Sequence, residues 1–176
     1  MRYTESVLPD KEPALPPGLS RETTIRRDAE GRWYQDGIPL EHPNLVRAFD
    51  RWIERAEDGR YCLKNDINWA YVTIEGAPLF VRSIAIEPEG MRLRLSDERE
   101  ELLDVETLRL GPDGALYCDA RGGTMPARFD RHAMFQLEPV LGEDDGGLYI
   151  EVAGRRAHPP VALDPLARIE DGAALQ

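Results

Sequence analysis

Lysine is nearly missing from this chain. Of its 176 residues only Lys11 and Lys64 are lysine, against 20 arginines. A GC-rich genome gives such a bias. So does a need for bidentate contacts to carboxylates and phosphates, which lysine cannot copy. Cysteine is equally scarce. Cys62 and Cys118 make no disulfide framework, so a reducing, cytoplasmic setting is expected. No apolar run approaches the roughly 20 residues of a spanning helix. The N-terminal residues, Met1 to Ser6, lack the apolar stretch of a signal peptide. An excess of positive charge is also absent. The formal charge is −11 and the pI about 4.8, which excludes nucleic acid and anionic membrane surfaces as favoured partners.

The usual catalytic constellations are absent too. The serines are Ser6, Ser20, Ser83 and Ser96, and none sits in a nucleophile elbow. His42, His132 and His158 are widely spaced and form no metal-binding pair. No phosphate-binding loop or dinucleotide fingerprint is found. The sequence therefore assigns no catalytic residue, no metal and no cofactor. Glu98, Glu100, Glu101, Asp144 and Asp145 lie in polar, turn-like runs, where solvated charge is expected. Arg121-Gly-Gly-Thr124 reads as a plain loop that could offer amides to an anion.

What is present is proline-rich ends and an internal duplication. Residues 1–20 and 159–176 hold most of the prolines outside turns and read as a flexible arm and a flexible tail. Between them, residues 21–86 and 107–158 read as two related units, joined by a bridging strand and turn over 87–106. The segment from Thr24 to Asp36 aligns without gaps on Thr107 to Asp119, 83 residues on, with Thr, Arg, Gly, Tyr and Asp coinciding. Phe49-Asp50-Arg51 recurs as Phe129-Asp130-Arg131 at 80 residues, and Tyr71 to Gly76 as Tyr149 to Gly154 at 78. The shrinking offset is what loop deletions in the second copy would give.

Each unit reads as a hairpin, a helix and further strands. Asp28 to Gly31 and Gly111 to Gly114 are the hairpin turns. Apolar spacing predicts a helix over 43–57 and a shorter one over 127–136. Strands are expected at 60–65, 70–75, 79–86, 91–95, 137–141 and 148–152. The fold class is α+β with mostly antiparallel strands and one or two helices.

Matched arginines and tyrosines supply the candidate site. Arg26 and Arg109 occupy equivalent positions in the two units, as do Tyr34 and Tyr117, and Arg51 and Arg131. Two half-sites facing each other across the junction could hold an anion between arginines and stack a ring on tyrosine. His132 follows Arg131 directly, and Lys64 is the only lysine inside the folded region. The equally physical alternative is that all of these are structural or exposed.

Several segments resemble a bacterial family, domain of unknown function 1285. They are Trp33-Tyr34-Gln-Asp-Gly-Ile-Pro-Leu40, Asp58-Gly-Arg-Tyr-Cys-Leu63, Val72-x-Ile-x-x-Ala-Pro-Leu79, Tyr117-x-x-x-Arg121 and Arg131-x-x-x-Phe135-x-Leu137. The resemblance covers residues 22–158. It implies an α+β fold with duplicated motifs, a second half similar to a pleckstrin-homology fold, and a pocket for a nucleotide-like ligand at the junction, with a signalling role. Arg121 and Arg131 carry over. The chain departs from the pattern at Asn65 to Trp69 and at Leu95-Ser96. The expectation is therefore a cytoplasmic protein that binds an anionic, nucleotide-like small molecule at the junction. A protein-interaction module with a protein partner is one alternative, and a hydrolase of small phosphorylated molecules, with His132 and Glu151 as its test positions, is the other.

Overall fold

Asp28 folds the chain back on itself as expected. Its carboxylate accepts the N–H groups of Glu30 and Arg32, and Gly31 takes the positive φ that the turn needs. The computed structural model describes residues 15–167. The first 14 residues of the proposed arm and the end of the proposed tail, 168–176, lie outside the described residues.

The chain begins with β1 (Arg26–Arg27), β2 (Trp33–Gln35), β3 (Ile38–Pro39) and α1 (Pro43–Trp52). A three-stranded meander follows, β4 (Ile53–Arg55), β5 (Tyr61–Lys64) and β6 (Trp69–Tyr71), and then β7 (Thr73–Ile74). The bridge is β8 (Leu79–Glu87), β9 (Gly90–Leu95) and β10 (Glu100–Leu102). The order then repeats with β11 (Arg109–Leu110), β12 (Leu116–Ala120), β13 (Met125–Phe129), α2 (Arg131–Gln136) and a second meander, β14 (Leu141–Asp144), β15 (Gly147–Val152) and β16 (Arg155–Ala157). The fold is α+β with mostly antiparallel strands. The central sheet runs β10-β9-β8-β13-β12-β11, and β8 and β13 are parallel neighbours within it. No helix among the described residues is long and apolar enough to cross a membrane. One apolar cluster joins Trp33 and Ile53 to Leu79, Met91, Leu116, Phe129 and Ile150, so both copies share a core.

Both helices differ from expectation. α1 stops at Trp52 because Ile53 leaves the helical region (φ −59°, ψ 123°). Ile53 is fully buried and pairs with Leu63 on β5. Burial of a β-branched residue in a sheet outweighs the helical spacing that runs on past it. The second helix starts at Arg131. Ala127 to Phe129 lie between β8 and β12 in the central sheet, and the Asp130 carboxylate caps α2 by accepting the Ala133 N–H at 2.9 Å.

The hairpin match is structural. Arg26 faces Tyr34 in the first copy and Arg109 faces Tyr117 in the second. The Asp36 N–H donates to Thr24 Oγ1 at 3.0 Å, and the Asp119 N–H donates to Thr107 Oγ1 at 3.1 Å. Gly31 and Gly114 both have positive φ. The coinciding residues thus set the same register and the same turn twice.

The other two matches fall on non-equivalent places. Phe49-Asp50-Arg51 lies within α1, whereas Phe129-Asp130-Arg131 straddles the end of β13 and the start of α2. Tyr71 belongs to the third strand of its meander and Tyr149 to the second. Strand register gives a different alignment. Leu63 faces Ile53 and Ala70, as Ile150 faces Leu141 and Ala157. That sets residues 63 and 70 on 150 and 157, an offset of 87. The same step sets Ile74 on Val161 and Pro78 on Pro165. Contacts agree: Ile74 lies parallel beside Arg27, and Val161 lies parallel beside Leu110. The Glu75 N–H donates to the Arg27 carbonyl at 3.0 Å, and the Ala162 N–H to the Leu110 carbonyl at 2.9 Å. The offset therefore grows along the chain, and the second copy carries insertions rather than deletions.

Residues 159–167 are accordingly not a loose tail. They complete the second copy. The Leu110 N–H donates to the Pro160 carbonyl at 2.8 Å, Arg109 Nε donates to the Pro165 carbonyl at 2.7 Å, and Leu166 packs on Ala77, Ala115 and Tyr117. Truncation after His158 removes these contacts and strips a buried guanidinium of one acceptor. It is expected to lower stability by about 2–4 kcal/mol, read as a shift of the urea unfolding midpoint. An unshifted midpoint would show that the segment is undocked.

Candidate functional site

The structure does not gather the eight candidate residues in one place. Arg109 is 3% exposed. Its guanidinium is used internally by Asp119 at 2.9 Å, the Thr107 carbonyl at 2.8 Å and the Pro165 carbonyl. The Arg121 side chain is 6% exposed and meets the wholly buried Asp97 carboxylate at 2.8 Å. Its Nη1 donates to the Ile53 carbonyl at 2.7 Å. Arg121 thus ties the β12–β13 turn to β4 and to the β9–β10 turn. Tyr117 is buried, and its hydroxyl donates to Asp113 at 3.0 Å. Burial, with Asp113 beside it, pushes its phenol pKa up. Tyr34 donates to Asp28 at 3.1 Å. Arg26 lies over the Tyr34 ring at 4.1 Å and pairs with Glu75 at 3.1 Å. Lys64 is exposed at the end of β5. Arg131 and His132 are exposed on the first turn of α2, past the far end of β13 from Arg121. Arg26 with Tyr34 and Arg109 with Tyr117 are cross-strand pairs that build each hairpin, whereas Arg51 and Arg131 lie on the two helices.

Two engaged carboxylates and one arginine escaped the sequence reading. Arg27 is 0% exposed. Its Nη2 lies 3.3 Å from Asp50 Oδ1, which also accepts the Trp33 indole N–H at 2.9 Å. Burial pulls the Arg27 pKa down to about 10, which leaves it charged at neutral pH. Glu101 is half-buried, against the expectation of a solvated turn. It accepts the Arg121 backbone N–H at 3.0 Å, and burial pushes its carboxyl pKa up. Burial also pushes the Cys118 thiol far up, so it is no nucleophile.

A hollow of about 540 Å³ opens elsewhere, within the size range of ligand pockets. One wall is Val105, Glu106 and Leu108, the segment entering β11. The other is β16 with His158 and Pro160, and Glu89 and Gly90 close one end. The first copy shows what normally fills this position. There the entering segment, Arg21 to Ile25, lies along β6 and β7. The Tyr71 N–H donates to the Arg21 carbonyl at 2.8 Å, and the Thr73 N–H to the Ile25 carbonyl at 3.0 Å. Thr23 Oγ1 donates to the Tyr71 carbonyl at 2.6 Å.

The second copy cannot close the same seam. Pro160 stands where Thr73 stands, and proline has no N–H to give the Leu108 carbonyl. The entering segment instead curls into a single 3₁₀ turn at Val105–Thr107. Asp104 caps that turn by accepting the Glu106 N–H at 3.1 Å. His158 takes the place of Tyr71 and keeps its partner type. Tyr71 donates to Asp58 at 2.8 Å, and His158 Nε2 lies 2.8 Å from Asp144 Oδ1.

Two arginines and a histidine line the opened seam. Arg155 lies 3.2 Å from Glu106, with side-chain exposures of 74% and 76%. Arg156 pairs with Asp144 at 3.2 Å, and His158 shares that carboxylate. His158, with the Gly146 N–H and Arg156, holds the Asp144 carboxyl below its ordinary range. Two other hollows, of about 500 and 350 Å³, are lined by carboxylates and no cation among the described residues.

Comparison with solved structures places the fold. A DUF1285 family protein from Silicibacter pomeroyi DSS-3 superposes with a TM-score of 0.60 at 19% identity, over 85% of this chain and 82% of that one. A DUF1285 family protein from Shewanella baltica OS155 gives 0.49 at 21% identity, over 64% and 87%. The first likeness supports the sequence resemblance to domain of unknown function 1285 at the level of fold. No protein-family model and no curated protein matches the chain.

These placements separate two arginines that the sequence treated alike. Arg121→Ala leaves the buried Asp97 carboxylate with only the longer contact to Arg99 at 3.6 Å among the described cations, and is expected to cost about 3 kcal/mol. Arg131→Ala is expected to change stability by less than about 0.5 kcal/mol. Urea denaturation of the two variants checks both. Equal effects would contradict the assignment of Arg121 as an internal tie.

Proposed function

We propose that this chain is a ligand-binding protein, with its site in the open seam of the second copy rather than at the junction of the two copies. The observation that carries this reading is a wall holding two arginines, Arg155 and Arg156, with His158 beside them, bordering a hollow that the first copy fills with its own backbone. An acidic ligand suits that wall. The apolar floor of Leu103, Leu108 and Val152 supplies the burial that ligand sites use. A signalling role follows if ligand binding alters how the entering segment packs against β16.

The test is calorimetric titration of the full chain with a panel of nucleotides, small dicarboxylates and acidic peptides. At least one class is expected to bind. Arg156→Ala should weaken it about tenfold or more, the loss of one charge-assisted contact, whereas Arg131→Ala should leave it unchanged. Absence of binding across the panel, or equal binding by wild type and Arg156→Ala, overturns the reading.

A further inference from the structure

We infer that the ligand of this seam is an extended, acidic polypeptide segment that adds to β16 as a further strand. The inference rests on the proposed site. Its first support is the precedent inside the molecule. In the first copy the equivalent space holds an extended backbone, Arg21 to Ile25, bonded through Tyr71 and Thr73. The space is thus one that a strand fits.

The second support is topology. β16 is the outermost strand of the sheet β14-β15-β16. Its residues Arg155, Arg156 and Ala157 line the hollow. An edge strand facing a hollow is a template for strand addition. Side chains of an added strand alternate between two faces. One set would reach the apolar floor and the other the charged rim.

The third support is charge, which reverses between the copies. In the first copy Arg21 lies over the Trp69 ring at 4.0 Å and donates to the Trp69 carbonyl at 2.8 Å. Register places Arg156 where Trp69 stands, because Trp69 faces Lys64 on β5 as Arg156 faces Glu151 on β15. A cation in the incoming strand suits the aromatic ring. A carboxylate suits the guanidinium that replaces it. Among the described residues Arg155 pairs with Glu106, and both side chains are exposed. Such a pair is weak in water, so an incoming carboxylate can displace Glu106. Glu89 and Glu106 also line the hollow and repel acid, so the acidic side chains must take the face of the sheet on which Arg156 lies.

The probe is a fluorescein-labelled peptide, Thr-Glu-Val-Asp-Val-Glu, titrated with the full chain and followed by anisotropy. Two control peptides carry proline at both central positions or lysine at each acidic position. The acidic peptide should bind at least about tenfold more tightly than either control, since one lost charged contact corresponds to about that factor. Arg155→Glu with Arg156→Glu should weaken it by about tenfold or more, and Glu106→Gln, which releases Arg155, should tighten it. Amide exchange at Arg156 and His158, the outward-facing amides of this edge, should slow in the complex. All of these positions are surface side chains, and circular dichroism verifies the fold of each variant. Equal binding of the proline peptide overturns strand addition. Nucleotide binding that depends on Arg156, with no binding of the acidic peptide, overturns the polypeptide ligand but leaves the proposed site standing. Binding of neither overturns both.

Discussion

A buried guanidinium that grips a proline carbonyl occurs once in each copy, and the architecture depends on it. Arg27 donates to the Pro78 carbonyl at 2.7 Å, and Arg109 to the Pro165 carbonyl at 2.7 Å. Taking such a cation out of water costs several kcal/mol. The charge is tolerated because a carboxylate accompanies each one, Asp50 for Arg27 and Asp119 for Arg109. The grip fastens the segment that follows each meander against the first strand of its own hairpin. In the first copy β8 leaves directly from Pro78 and runs into the middle of the six-stranded sheet. Arg27 on β1 thus fastens the start of that central strand.

The two copies share this fastening but differ beside it. In the first, Thr73 and Tyr71 zip the entering segment onto the meander. In the second, Pro160 replaces Thr73, and proline withdraws the donor that Thr73 gives to Ile25. The fastening beyond the prolines still holds, through Leu110, Ala162 and Arg109. A seam that is tied at one end and cannot zip along its length becomes a hollow. The scaffold of the second copy thus stays intact while one groove is vacated.

The α+β class, the hairpins and the order of elements were legible in the sequence, because turn glycines and cross-strand pairs are local. The coincidence of Thr24, Arg26, Gly31, Tyr34 and Asp36 with their counterparts reflects one hairpin register and turn built twice, although Arg26 pairs with Glu75 near the surface and Arg109 is buried on Asp119. The later matches failed because a shared triplet such as Phe-Asp-Arg carries no information about register. Only the pairing of Leu63 and Ile150 with their neighbours gave the true alignment. The end of α1 was hidden because Ile53 satisfies helical spacing and strand burial equally well. The site was hidden for a related reason. A buried arginine and an exposed one look alike in sequence, and the partners that separate them lie far along the chain: Asp97 is 24 residues from Arg121. The signal that could have found the seam was Pro165-Leu166 echoing Pro78-Leu79, which brings the proline pair opposite Val72-Thr73.

The central claim is that one seam is zipped and its counterpart is open. Amide hydrogen exchange of the unliganded protein tests this directly, by comparing Tyr71 with His158. The account predicts that the Tyr71 amide, bonded to the Arg21 carbonyl, is protected about a hundredfold or more over the His158 amide beside the hollow. Equal protection of the two would mean that both seams are closed, and would contradict it.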